Sequence, residues 1–144
     1  MGLLPASTNA DYRGPAISAW FLAAAALLEI GPALIHSFLP DGGAGMIAGL
    51  DMGDRRDLVI GVFRWEGAVQ LAFGLALLAV ATRYRPLVPL FLTLLIIERG
   101  LMALQGWVFS PPAGGRHPPE HYGSVVTAVL AAFFLTLALR PRRV

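Results

Sequence analysis

The sequence has no cysteine and no lysine, and it carries little charge of either sign. Lack of cysteine removes disulfide scaffolds, thiolate metal sites and cysteine nucleophiles together. Only 14% of its 144 residues are charged, roughly half of what a water-facing domain uses to coat its surface. All eleven basic residues are arginine, so the sequence pI near 9.7 reflects permanently charged guanidinium groups. They are scattered, which argues against a nucleic-acid partner. What the sequence has in abundance is apolar length: 56% of residues are hydrophobic and the mean hydropathy is +0.66, which excludes disorder.

Four apolar segments, 16–39, 58–81, 87–109 and 122–139, each approach the roughly 20 residues that cross about 30 Å of hydrocarbon. The expected fold is therefore all-α, a single transmembrane four-helix bundle over residues 1–144. The first segment continues past Glu29 to Leu39, too long for the apolar core of a signal peptide, and is read as a retained span. Pro40-Asp41-Gly42-Gly43, Arg83-Tyr84-Arg85-Pro86 and Ser110 to Gly115 punctuate the spans. The first loop holds a possible interfacial stretch, Gly45 to Gly49. Arg13, Arg83, Arg85, Arg140, Arg142 and Arg143 fall on one side, against Arg55, Arg56 and Arg116 on the other. Because cytoplasmic loops retain positive charge, both termini are expected in the cytoplasm.

Fifteen of the twenty charged residues lie in loops, tails and turns; the other five, Glu29, Arg64, Glu66, Glu98 and Arg99, lie inside spans. Each costs about 2.5–3.5 kcal/mol at a helix centre, so all five are expected to face a bundle interior or a polar cavity. Helical spacing extends them into three stripes: Glu29 with His36, Glu66 with Gln70, and Glu98 with Met102 and Gln105. These stripes open toward the first and third loops, and Trp65 sits beside one of them. With three carboxyls to two guanidiniums, one of the glutamates is expected to hold a proton at neutral pH. Gly31-Pro32 is expected to kink the first helix and free a carbonyl.

Two uses of these charges compete. In one they are interhelical glue: Glu66 to Arg99, Glu98 to Arg64, Glu29 to His36. In the other, Glu29, Glu66 and Glu98 are acid, base or cation stabiliser in a pocket for a lipophilic small molecule or lipid, with His36, Arg64, Gln70 and Arg99 setting their protonation and orientation. Trp65, Met102 and Gln105 complete that candidate site. The chemistry would be proton-transfer isomerisation, cyclisation or hydrolytic ring opening, with no cofactor and no metal. An accessory subunit of a larger membrane complex and a proton or ion pathway are the remaining readings. His117-Pro118-Pro119-Glu120-His121 matches the H-x-x-E-H zinc pattern, but its prolines break the helix that pattern needs. Ala68, Ala72 and Ala76, with Gly67 and Gly74 nearby, permit close packing inside the bundle or in a homodimer.

The stretch from Arg64 to Leu78, the short Arg-rich turn, Glu98-Arg99-Gly100-Leu101 and the Pro-rich loop before the last span resemble the DoxX-like group of small four-helix bacterial membrane proteins. This resemblance covers about Gly49 to Leu139 and implies the fold, in a bacterial inner (plasma) membrane, more firmly than an activity. Glu29 departs from the group's usual first span. The hexapeptide Glu66 to Leu71 is also similar to the second helix of the sterol isomerase and sigma-2 receptor group. That similarity implies buried carboxylates, at Glu29 and Glu66, that shuttle a proton or stabilise a cationic intermediate.

Overall fold

The computed structural model describes residues 3–140; Arg142 and Arg143, counted above for orientation, lie outside them. The chain is all-α. Its helices are α1 (Ala16–Phe38), α2 (Arg56–Arg83), α3 (Val88–Leu104) and α4 (Pro119–Ala138). Short 3-10 turns precede α2 and α3, and a π-helical segment, Gln105–Phe109, continues α3. All four helical stretches are long and apolar enough to cross a membrane.

Helices α1 and α2 form one close hairpin because glycine removes the side chain at the contact. A Cβ on Gly67 would stand 2.8 Å from the His36 Cβ, and one on Gly74 would stand 2.8 Å from the Ile30 side chain. The small residues of α2 therefore divide by face: Gly67 and Gly74 serve internal packing, while Ala68 and Ala72 are exposed. Helices α3 and α4 form the second hairpin. The two hairpins meet over a contiguous apolar core that includes Leu22, Leu77, Leu92, Leu95 and Ala131, all fully buried. Phe21 of α1 stacks on Phe134 of α4 at 4.4 Å, and Ser18 donates to the Phe134 carbonyl.

This solid half of the bundle is the half at which α1 begins and α4 ends. The segment before α1 is tied there, with Asn9 bonding the Thr82 carbonyl and Ser7 the Arg83 carbonyl. At the other end the hairpins separate. Helix α1 runs through Gly31-Pro32 as one element; Pro32 has no N–H, so the Leu28 carbonyl loses its intrahelical donor. Helix α4 begins at Pro119, three residues before the expected start. Proline suits a first-turn position, where its missing N–H would have no partner, and this brings Glu120 and His121 into the helix.

Candidate functional site

The open half holds two cavities on either side of one buried ion pair. Glu29, on α1, is only 1% exposed. Its Oε1 accepts from Arg99 of α3, through Nε at 2.8 Å and through Nη2, and its Oε2 accepts from Gln70 Nε2 of α2 at 3.0 Å. Three helices thus converge on one carboxylate. A buried pair of this kind is stable only if its remaining donors and lone pairs are also used, and here both oxygens are occupied. Arg99 Nη1 extends further, to Met102 Sδ at 3.7 Å and Glu120 Oε1 at 3.5 Å. Glu98 is a more distant neighbour, 3.8 Å from Arg99 Nε.

The larger cavity, about 670 Å³, lies between α1 and α4 and reaches the Pro-rich loop that leads into α4. Its walls are apolar, with Ala25, Leu28, Pro32, Ile35, Ile47, Leu50 and Phe63 among them, and its polar groups are Glu29, His36, Arg99, Glu120, His121 and Thr127. The Leu28 and Pro32 pair freed by the proline lines this space, which is where an interrupted helix is tolerated. The smaller cleft, about 380 Å³, lies between α2 and α3 and is lined by Val62, Trp65, Glu66, Val69, Gln70, Glu98 and Met102.

His36 faces the larger cavity in a defined tautomer. Its Nδ1 lies 2.7 Å from the Gly42 carbonyl. A carbonyl only accepts, so Nδ1 carries the hydrogen, and Nε2 of the neutral ring is an acceptor. That nitrogen is buried and has no partner. Gly42 is held in place by the first loop, where Asp41 accepts from the amides of Gly43, Gly45 and Met46 at 2.8–3.0 Å. Those bonds, led by Met46, hold the Asp41 carboxyl below its usual range. The loop needs glycine at 42 and 43, where φ is +63° and +82°. The stretch Gly45 to Gly49 is largely a series of turns, and Ile47 and Ala48 wall the cavity.

The third loop closes on the same space. His117 Nδ1 and His121 Nδ1 are 2.9 Å apart, and Trp107 stacks on His117 at 3.8 Å while its Nε1 donates to the His121 carbonyl. The zinc pattern's histidines therefore meet despite the two prolines, but they bond each other. Among the described residues no group of three or more His, Asp or Glu is placed to hold a metal ion. Gly106 admits this arrangement, since a Cβ there would stand 2.7 Å from the His121 ring.

The chain matches no protein-family model, no curated protein and no solved structure.

Of the sequence candidates, Glu29, Gln70 and Arg99 meet between the two cavities, His36 lines the larger one, and Glu66, Glu98, Met102 and Trp65 line the smaller one. Three expectations need correction. Arg64 is exposed on the outer face of α2 and makes no hydrogen bond or ion pair among the described residues. The pairings also differ: Arg99 takes Glu29 rather than Glu66, Arg64 does not reach Glu98, and His36 bonds Gly42 rather than Glu29. Gln105 is exposed at the start of the π-helical segment and lines neither cavity. Glu120 and His121 were missed as cavity residues because the α4 start was placed after them.

Proposed function

We propose that the chain is a multi-pass membrane protein that holds a lipophilic small molecule between α1 and α4 and carries out acid–base chemistry on it. The observation that carries this reading is the cavity of about 670 Å³ with apolar walls and a small polar set that includes an unpartnered His36 Nε2. Ligand sites take this form: mostly apolar surface, with few polar groups that fix orientation.

The roles follow from which groups are free. Both Glu29 oxygens are occupied, so Glu29 holds Arg99 in place and does not exchange a proton itself. His36 Nε2 is the proton acceptor, and the Nδ1 bond to Gly42 keeps its lone pair available. Glu120, one-third exposed and beside Arg99 Nη1, is the second proton-carrying group. Arg99 supplies fixed positive charge where negative charge develops on the ligand. Removal of a proton by one group and its return by another gives isomerisation or cyclisation of an apolar substrate. The likeness to the sterol isomerase and sigma-2 receptor group supports chemistry of this class, and the likeness to the DoxX-like group supports the bacterial inner membrane as its setting.

Gly123 gives a direct test. It lines the cavity, and a Cβ added there would meet nothing within 4 Å, so Gly123→Leu puts bulk at the cavity wall from a Cβ that clashes with nothing, with a monodisperse elution profile checking the fold. Native mass spectrometry of protein purified from its host membrane is expected to find a lipophilic adduct on the wild type, depleted about tenfold by a side chain that removes this much apolar contact. His36→Ala should keep the adduct and lose its conversion. Equal adducts on wild type and Gly123→Leu would sink the reading.

A further inference from the structure

The smaller cleft offers acceptors and no cation of its own. Gln70 is 5% exposed, and its orientation is forced, because Glu29 Oε2 can only accept and so requires the amide N–H. The Gln70 carbonyl oxygen is thereby left buried without a partner, in a residue that lines the cleft. Glu98 Oε2 likewise has no hydrogen bond, Arg99 Nε standing 3.8 Å away and being already bonded to Glu29, and Glu66 makes none among the described residues. The group missing from this cleft is a cationic donor.

An unpaired cation lies on the same helix. Arg64 cannot serve the cleft of its own protomer, since at 3.6 residues per turn it projects about 160° away from Glu66. Between Arg64 and the cleft mouth, the outer surface of α2 carries Gly61, Ala68 and Ala72, all exposed. Small residues let two helix backbones approach closely. When two copies of α2 pack in parallel on that strip about a two-fold axis, rotation sets the Arg64 flank of one against the cleft flank of the other, and does so twice. Depth agrees as well, because residues 64 and 66 differ by about 3 Å of helix rise.

We propose that the chain forms a parallel two-fold dimer through this face of α2, in which Arg64 of each protomer enters the α2–α3 cleft of its partner. There the guanidinium donates to the Gln70 carbonyl and pairs with Glu66 and Glu98. The proposal rests on the membrane-spanning reading but not on the ligand assigned to the larger cavity.

The absence of cysteine makes the test clean. Ala68→Cys and Ala72→Cys are reconstituted separately in phosphatidylcholine vesicles and oxidised, with Leu90→Cys on α3 and Val129→Cys on α4 as exposed controls. Covalent dimers are expected at 68 and 72 and not at 90 or 129. Adding Arg64→Gln should weaken association about tenfold, the loss expected for one interhelical polar contact. Glu66→Gln with Glu98→Gln should do the same. Arg64 is exposed and unpaired within the protomer, so its replacement leaves the fold intact, which a monodisperse elution profile checks. Flotation of the protein with the vesicles tests the membrane reading separately. Cross-linking at 68 no stronger than at 90, or undiminished by Arg64→Gln, overturns the proposal; the second result would mean that Arg64 reaches the headgroups unaided.

Discussion

Arg99 gathers three carboxylates around one guanidinium, and they are not equivalent. Glu29 is enclosed and receives two of the three nitrogens, whereas Glu98 and Glu120 are each about one-third exposed and stand at 3.8 and 3.5 Å. Glu29 is therefore the partner whose loss strands a charge away from water. Breaking a buried pair by removing one member costs about 3–5 kcal/mol, much of it the penalty on the member left behind. Glu29→Gln and Arg99→Gln are each expected to lower stability by that amount, and the double variant by clearly less than their sum. A thermal-unfolding double-mutant cycle in detergent measures the coupling; additive losses would show that the two do not act as a pair. Gln70 belongs to the same unit, since Glu29 alone dictates which way its amide faces. Asp41 shows the same logic outside the spans. With its folded pKa depressed by backbone donors, the stability it contributes is complete above the ordinary carboxylate range and is lost as pH falls through the lower folded value. The Asp41-capped loop should therefore stay ordered at neutral and mildly acidic pH and loosen only in strong acid. In Asp41→Asn the first loop should be loose at every pH, as read by hydrogen exchange at Gly43 to Met46, and protection equal to wild type would contradict this account.

At the scale of elements, hydropathic length was enough to find the four helices, and within one to three residues it found most of their ends. The three-residue miss at the α4 start has a specific cause: a proline pair was read as a break, but Pro119 is a favoured first residue. The polar stripes were legible as far as Glu29 with His36, Glu66 with Gln70 and Glu98 with Met102, because i, i+4 and i, i+7 spacing depends only on helix geometry, but Gln105 at the end of the third lines neither cavity. Which stripes touch was not legible. Partner choice depends on how each helix is rotated about its axis, and that rotation is set by contacts such as Gly67 and Gly74 against α1, which spacing along one helix does not encode. Arg64 is instructive because the information was present. Two residues cannot place Arg64 and Glu66 on the same side of α2, so counting membrane depth without helix angle put Arg64 inside the bundle. His36 depended on a loop fold, the Asp41 nest that delivers the Gly42 carbonyl, and no periodicity reports that.

For the whole molecule, the division that matters runs across the bundle rather than along it. One end packs leucine and alanine from all four helices and ties down the segment before α1; the other parts the hairpins around the Arg99 cluster. Charge follows the same division. Arg13, Arg83, Arg85 and Arg140 lie at the solid end, and Arg55, Arg56 and Arg116 at the open end; with Arg142 and Arg143 the sequence gives six against three. Since arginine-rich short loops stay in the cytoplasm, the solid end is expected to face inward, with the larger cavity on the side of the first and third loops directed to the outer leaflet. This orientation also suits the proposed lipophilic occupant, for which the larger cavity lies between α1 and α4. Single cysteines introduced into this cysteine-free chain decide the matter. Gly114→Cys, in the third loop, is expected to react with a membrane-impermeant maleimide on intact spheroplasts, whereas Ser7→Cys, beside the α2–α3 turn, should react only after the membrane is opened. The reverse labelling pattern would place the cavity mouth on the cytoplasmic side and would require its ligand to come from within the cell.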